Sequence, residues 1–594
     1  MPATKRLPRL DPRLLDARLM RLAGKRLAHR IEHGLPPVQA STIPEDTLDA
    51  FATYRPWQID RHAFDWDTHR YLMPVYKAFR VDPRQTDGLQ MVILKGAQTG
   101  ASVFGMLGLI FVALKFPGSW SSYYLPDQAM THIFSSNRFK PMVESNPSIA
   151  GLLGGERGEG DNSHRLRNLG PSSVSFGYMG GKTSTESIPL LAVFFDEVRR
   201  MEPLHIALAQ QRISHSPYPI DIKLSTAGYP QQDIHAFFLQ TNQQFFHSRC
   251  RCRDGIILAQ EWPACIGEQR GDIFYRCPKC DTRIVNPQDG AYIAHAPAQT
   301  IPGFHLPQTL SLAPLHAPAK LWEKYIDPQE DRGEFYRSGL GLPYIDPEAQ
   351  LVVEDDLLAC ENSELRWETE GTRCALGADQ MGGWLDIVVL KHMPRGKYRL
   401  MHLERLEGDD PFDDGRLDAL MRRYDVSCAC IDLNPNYNEA LRFCKRWVPR
   451  AFLVTYSSTD RADMFQWRDR RRPKDQTPNE PEVKFRYVVT IQRYKALDYA
   501  LGLFRERLIE MPHRRGLIQT VHDERGILRP VFMGEELFNP HMKRMVRQKH
   551  VLDEDQLTYK MQMVKVGADP HFAFAFTYAV TAASRQGGAR VSIL

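Results

Sequence analysis

The sequence predicts a tandem of α/β domains, and three observations predict it. Apolar runs of strand length alternate with turn signals and helical patterns from about residue 46 to 245. A second series of the same kind begins near Cys374, after a charged stretch holding Glu361, Glu364, Glu368 and Glu370. Between them, half of the 10 cysteines fall between Cys250 and Cys280, unlike either flank. The 594 residues therefore divide into a basic arm (1–45), a first α/β domain (46–245), a cysteine-rich insert (246–295), a connecting region (296–365) and a second α/β domain (366–594). That length supports more than one substantial core.

Composition narrows the class. With 43% hydrophobic and 25% charged residues the chain reads as globular. Its longest apolar stretch, Val103 to Leu114, is shorter than the ~20 residues of a membrane span, so a buried helix is expected there. The first apolar residues are interrupted by Arg or Lys every few positions, unlike a secretory signal. Clustered cysteines fit a local metal site in a reducing cytoplasm better than a disulfide framework.

Net charge is only +5, but its distribution is uneven. Residues 1–30 collect Lys5, Arg6, Arg9, Arg13, Arg18, Arg21, Lys25, Arg26 and Arg30 against Asp11 and Asp16. Leu14, Leu15, Leu19, Leu22 and Ala23 follow helical spacing, so this arm reads as amphipathic. Further basic runs lie at Arg468–Arg472 and Lys543–Lys549. Such runs suit phosphate contacts or a plain solvated face.

In the first domain, Met91-Val92-Ile93-Leu94 reads as a buried parallel strand, followed by Lys95-Gly96-Ala97-Gln98-Thr99-Gly100-Ala101-Ser102 and an apolar helix. A small-residue loop lets backbone N–H groups approach phosphates, and the helix start favours negative charge. Ser102 stands where a phosphate-loop hydroxyl would hold Mg²⁺. Ala101 occupies the place of the usual lysine, while Lys95 at the opposite limb offers the same point charge. Leu190 to Phe195 forms a second apolar run that delivers Asp196 and Glu197 at its C-terminal end. There one carboxylate can hold Mg²⁺ and the next can orient an attacking water. With the run Lys223–Ala227 beyond it, this is the order of a motor ATPase, and ATP is the expected cofactor. Arg199, Arg200 and Arg212 remain open as the arginine that completes the site.

The loop with its lysine at the start, followed by Phe194-Phe195-Asp196-Glu197, resembles the lambda-like (GpA) family of tailed-phage terminase large subunits. Further matches follow in family order, at Tyr54-Arg55-Pro56-Trp57-Gln58 and at Leu340-Gly341-Leu342-Pro343-Tyr344. The resemblance covers roughly residues 45 to 585. It implies an adenine contact near Gln58 and an ASCE-type P-loop ATPase. It also implies double-stranded DNA, a small terminase subunit and a procapsid portal protein as partners. A homo-oligomer working in the host-cell cytoplasm, with no membrane, goes with that role. For the arm, the small subunit or DNA is the expected partner.

Cys277-Pro278-Lys279-Cys280 is a CxxC knuckle, suited to two thiolates on a tetrahedral Zn²⁺. Cys250-Arg251-Cys252 is its partner pair, a tighter CxC, and Cys265 is an alternative ligand. The insert is accordingly expected to be zinc-ribbon-like.

In the second domain, Leu376 to Leu390 reads as strand, turn, strand with Asp379 near the end of the first strand. Ser427–Asp432 is another buried strand ending on an aspartate. Asp569 precedes the apolar helix Phe572–Ala579 and is expected in its first turn. Carboxylates from two strands and one helix can hold two Mg²⁺ or Mn²⁺ ions across a scissile phosphate, as in an RNase H-like nuclease. The resemblance carries Asp379, Asp432 and Asp569 over as the nuclease acids. The family's Asn-His pair before the third acid is here Gly567-Ala568, with His571 just after. Asp386 and Glu404 are accessory candidates. The expected activities are ATP-driven DNA translocation and metal-dependent cutting. A helicase with an inactive RNase H-like domain and a non-enzymatic portal-docking protein are the other readings.

Overall fold

A computed structural model describes residues 43–586, apart from residues 56, 60–61, 82–87, 152–161, 164–165, 180–188, 217, 253–254, 409–410, 413–414, 458–462, 469–486, 523–526, 554–557 and 568. Nearly all of the basic arm therefore lies outside the described residues, as does most of the Arg468–Arg472 run. The chain forms two compact units, 1–344 and 345–594.

The first unit is built on a 10-stranded sheet. Its strands are β1 (Leu89–Lys95), β2 (Trp120–Leu125), β3 (Asn162–Ser163), β4 (Leu166–Leu169), β5 (Ser172–Tyr178), β6 (Ala192–Asp196), β7 (Ile220–Thr226), β8 (Gln244–Ser248), β9 (Gly290–Ala294) and β10 (Gly303–Leu306). Their order across the sheet is β9-β8-β10-β1-β7-β6-β2-β5-β4-β3. From β8 to β5 the strands run parallel, and antiparallel strands close both edges. Every residue of β6 and β7 is buried, as expected of parallel strands covered on both faces. Helix α1 (Ala101–Lys115) is buried from Phe104 to Ala113, which accounts for its apolar residues all round.

The sheet does not stop at the expected limit of residue 245. β9 pairs with β8 and β10 with β1, so the cysteine-rich insertion is confined between Ser248 and Gly290. Residues 296–344 of the expected connecting region belong to the first unit. The signal was lost because β9 carries small and exposed residues on a sheet edge. Within the insertion, Ile266–Gln269, Asp272–Arg276 and Arg283–Ile284 make a small antiparallel sheet.

The second unit holds an 8-stranded sheet of β11 (Ala375–Met381), β12 (Trp384–His392), β13 (Tyr398–Glu407), β14 (Cys428–Asp432), β15 (Ala451–Ser457), β16 (Phe465–Trp467), β17 (Val488–Gln492) and β18 (Ile509–Glu510). The order is β16-β17-β15-β14-β11-β12-β13-β18. β11, β12 and β13 form an antiparallel meander, while β14, β15 and β17 continue from β11 in parallel. Helix α2 (His571–Gln586) packs on β11. A Cβ on Gly377 would stand 2.0 Å from the Ala575 carbonyl oxygen, so only glycine lets the helix backbone seat this closely. The helix begins at His571, with Pro570 O accepting from the Ala573 and Phe574 amides, so Asp569 lies before the first turn and not in it.

Among the described residues, no helix is long and apolar enough to cross a membrane. The Lys543–Lys549 run is partly structural, since Lys543 pairs with Glu354 and Arg547 with Asp498.

Candidate functional site

Because β1, β7 and β6 are parallel neighbours, their C-terminal ends present Lys95, Thr226 and the Asp196–Glu197 pair along one edge. Lys95 Nζ lies 2.6 Å from Glu197 Oε1 and 3.7 Å from Asp196 Oδ1. Ser102 Oγ donates to Asp196 Oδ2 at 2.8 Å, and the Tyr123 hydroxyl donates to the same oxygen at 2.8 Å. Burial pulls the Lys95 ammonium towards neutrality, but Asp196 and Glu197 outweigh it and leave the group raised above its ordinary value. A fixed cation, a hydroxyl and two carboxylates thus share one small volume, as binding a metal-complexed polyphosphate requires.

Glu197 adopts left-handed backbone angles (φ 63, ψ 46), which cost a non-glycine residue roughly 1–3 kcal/mol. Its N–H donates to Leu224 O at 2.9 Å, and the turn brings its carboxylate to Lys95. Ala101 is only 2% exposed at the start of α1, so a lysine there would be driven into the core. Lys95 places its ammonium at the strand side of the loop instead. The loop is held by its surroundings. Gly96 N–H donates to Leu306 O at 2.7 Å, Ala97 N–H to Ser338 O at 2.6 Å, and Gln308 Nε2 to Ala97 O at 2.9 Å. Thr99 Oγ1 donates to Gly96 O at 3.0 Å, Gln98 takes a positive φ of 56, and Gly100 precedes α1. The Leu340–Tyr344 motif is part of this support, since Leu340 O accepts from buried His305 Nε2 at 2.9 Å.

Upstream, Arg55 pairs with Glu45 at 2.8 Å and Trp57 is buried, so both are structural. Gln58 lies in a short ribbon, where its carbonyl accepts from Ser145 Oγ at 3.3 Å. It is Tyr71 whose hydroxyl reaches the loop, donating to Thr99 O at 3.1 Å. Arg199 contacts Ala227 O and Glu334, Arg200 lies 3.7 Å from Asp127, and Arg212 donates to the Tyr124 hydroxyl. Tyr123 was not expected, because a tyrosine in a buried Ser-Ser-Tyr-Tyr run carries no sequence signal.

In the insertion, the Sγ atoms of Cys250, Cys252, Cys277 and Cys280 all lie within 4.8 Å of one another. Cys252 and Cys277 are 3.9 Å apart, against about 3.8 Å between sulfurs of a tetrahedral site with Zn–S near 2.3 Å. Thr282 pulls the Cys280 thiol down to about 6. Cys265 is turned away: its thiol meets Leu258 O at 3.3 Å, and burial pushes it up to about 12. The donor set therefore fits zinc without Cys265.

In the second unit, Ala378 of β11 is in register with Ile431 of β14, which sets Asp379 beside Asp432. Asp379 is buried, and burial raises its carboxyl to about 7, opposed by His571 and reinforced by Asp432 and Asp386. Burial likewise raises Asp432, against the Asn434 and Leu433 amides. His571 Nδ1 lies 2.6 Å from Asp379 Oδ2. Asp569 instead pairs with Lys565. Asp386, opposite Asp379 in the β11–β12 register, is wholly buried and forked by Arg405 at 2.6 and 2.7 Å. Glu404 is occupied by His402 Nε2 at 3.0 Å. Arg493 stacks over Tyr456 and Phe574, and its charge acts on Asp432. Two carboxylates and an imidazole are ligand types that suit a divalent metal.

No curated protein matches the sequence. Solved structures similar to the chain include the HK97 bacteriophage large terminase, at 12% identity and TM-score 0.47, covering 90% of this chain and 99% of that one. The large terminase of a thermophilic bacteriophage, in complex with ADP, is similar at 11% identity and TM-score 0.27, over 85% and 95%. The ATPase domain of a Thermus phage large terminase is similar at 13% identity and TM-score 0.29, over 44% and 90%. Residues 79–296 match the family described as phage terminase large subunit gpA, ATPase domain. They span β1, α1, the acidic pair and the four thiols, so this part of the chain is similar to the ATPase domain of phage terminase large subunits.

Proposed function

We propose that the chain is an ATP-driven motor that moves double-stranded DNA into a procapsid and cuts it with a metal-dependent nuclease in its second unit. The observation that carries the motor reading is the Lys95, Ser102, Asp196 and Glu197 constellation at adjacent ends of parallel strands. Mg²⁺ bound with ATP would supply charge neutralisation of the phosphates. Ser102 and Asp196 would hold it, Lys95 would leave Glu197 for the phosphates, and Glu197 would orient the attacking water. Gln58 is proposed on the adenine side. Four thiolates would hold one structural Zn²⁺ that ties the insertion together.

The nuclease reading rests on Asp379 and Asp432 at neighbouring strand ends, with a third ligand from the 569–571 segment. The strand order of the second unit, a three-strand meander continued in parallel, supports an RNase H-like fold. Mg²⁺ or Mn²⁺ would supply the Lewis acidity for phosphodiester hydrolysis, while these side chains bind and orient it. The small terminase subunit, the portal and further copies of the chain are the proposed partners, and the host cytoplasm is the proposed place.

One preparation tests both halves. Glu197→Gln should retain ATP binding and lose turnover by about two orders of magnitude or more, because only transition-state positioning is removed. Asp379→Asn should abolish DNA cutting with Mn²⁺ or Mg²⁺ and spare ATP hydrolysis. Normal turnover by the first variant would refute the acidic pair. Normal cutting by the second would refute the nuclease.

A further inference from the structure

We infer that His571, rather than Asp569, supplies the third protein ligand of the Asp379–Asp432 metal site, and that this imidazole tilts the site towards a first-row transition cation over Mg²⁺. The inference rests on the nuclease reading above and deepens it.

The placement follows from one close contact. A Cβ on Gly377 would stand 2.0 Å from Ala575 O and 2.2 Å from Ala579 N, so α2 is seated on β11 there. From residue 377 to 379 the strand advances about 6.6 Å, at ~3.3 Å per residue. From residue 575 back to 571 the helix covers about 6 Å, at ~1.5 Å per residue. The two advances match, so the first helical residue is carried over Asp379. The contact of 2.6 Å between His571 Nδ1 and Asp379 Oδ2 follows. The imidazole is 12% exposed and the carboxylate 5%, so the ring nitrogen and the carboxylate oxygen meet away from bulk solvent.

Asp569 is on the other side of Pro570, outside the helix, where its carboxylate is 41% exposed and neutralised by Lys565. To act as a ligand it would have to break that pair and enter a site already faced by His571. Among the described residues only the four thiols are drawn together tightly enough to surround one ion as they stand. Asp379, Asp432 and His571 are less tightly gathered than the thiols, with Asp379 in contact with His571 and in register beside Asp432.

The chemistry of the donors sets the preference. Mg²⁺ demands hard oxygen ligands in near-ideal octahedra and gives up its waters reluctantly. An imidazole nitrogen is better matched to transition cations. Two carboxylates and one imidazole also carry one negative charge fewer than three carboxylates, which weakens the site most for a cation held by charge alone.

The experiment titrates Mn²⁺ into the full, zinc-loaded chain without nucleotide, following the loss of the free Mn²⁺ electron paramagnetic signal, with Mg²⁺ as competitor. The site is defined as the binding that Asp379→Asn removes. His571→Ala should weaken it by roughly tenfold or more, the order of loss on disturbing a metal's immediate surroundings. Asp569→Asn should change it less than about threefold, on the scale expected of a group outside the ligand set. His571→Asp restores a ligand of the harder kind, so it should recover binding while shifting the Mn²⁺/Mg²⁺ preference towards Mg²⁺ by roughly tenfold. That rescue separates ligation from folding. Strong loss in Asp569→Asn with none in His571→Ala would overturn the inference and leave the nuclease standing. Absence of any Mn²⁺ binding that depends on Asp379 would overturn the nuclease reading, and this inference with it.

Discussion

Gly377→Ala should disturb the second unit while leaving the first alone. The new methyl would sit 2.0 Å from Ala575 O and 2.2 Å from Ala579 N, both backbone atoms that no rotamer change can move. Ordinary contact begins near 3.4 Å, so α2 must lift by about 1.4 Å at that point. A gap of that size forfeits more than about half of the dispersion energy along the contact, and overpacking of a core typically costs ~1–3 kcal/mol. For a unit of this size, roughly 2–3 kcal/mol corresponds to a fall in Tm of about 5–10 °C. His571 would be carried away from Asp379 by a similar displacement, so the site should loosen before the unit unfolds. Differential scanning calorimetry should show the transition of the second unit displaced and that of the first unchanged, with ATP hydrolysis intact. A second-unit transition within about 1 °C of wild type, together with unaltered Asp379-dependent Mn²⁺ binding, would refute the reasoning.

Three further outcomes are expected. Cys277→Ser removes one of four thiolates, so elemental analysis should fall from about one zinc per chain to near zero; full retention of zinc would place the metal elsewhere. Burial lowers His305 to about 4, opposed by its bonds to the Leu340 and Gly341 backbone, so the folded chain binds fewer protons than the unfolded one below pH 6.5. The resulting penalty is absent above pH 6.5 and grows as pH falls to about 4, reaching a few kcal/mol. His305→Gln keeps a donor for Leu340 O and should flatten the pH 4–6.5 dependence of first-unit stability; an unchanged slope would assign it to other groups. Arg405→Met strands Asp386 as a wholly buried, unpaired carboxylate, and should destabilise the second unit by roughly 3–5 kcal/mol in denaturant melts. A loss under about 1 kcal/mol would show that the fork is not what holds that charge.

The parts of the site legible in the sequence are those whose chemistry is local. The loop from Lys95 to Ser102 follows its own strand, and Asp196 and Glu197 cap theirs, so strand-end logic found both without knowing the sheet order. The thiol pairs were legible because a knuckle chelates across two or three residues. Even there, Cys265 had to remain an alternative until the fold turned it towards Leu258 O. The contributions that stayed hidden are long-range. Tyr123 reaches Asp196 from the neighbouring strand β2, and Tyr71 reaches Thr99 O from a helical turn well upstream. Neither pairing leaves a periodicity or a spacing behind. The extension of the sheet through β9 and β10 was missed for a related reason: β9 is an edge strand with an exposed face, and the buried β10 is only four residues long, so neither offers the longer apolar run that marked β6 and β7.

The third nuclease position illustrates the limit most clearly. Sequence order favours Asp569, because an aspartate just ahead of an apolar helix has the chemistry that Asp379 and Asp432 lead one to seek. Which residue reaches them is decided instead by where the helix begins and how deeply it sits. Pro570 accepts the first helical hydrogen bonds, so the helix starts one residue later, at His571. Gly377, a residue with no chemistry of its own, fixes the depth by admitting the helix backbone against β11. Shift either determinant and a different side chain would meet Asp379. Moving the start by two residues would swap the imidazole for a carboxylate, and filling Gly377 would withdraw both. Which side chain meets Asp379 is thus a property of backbone seating, and the residue that most strongly determines it is the one that a search for acids and histidines passes over.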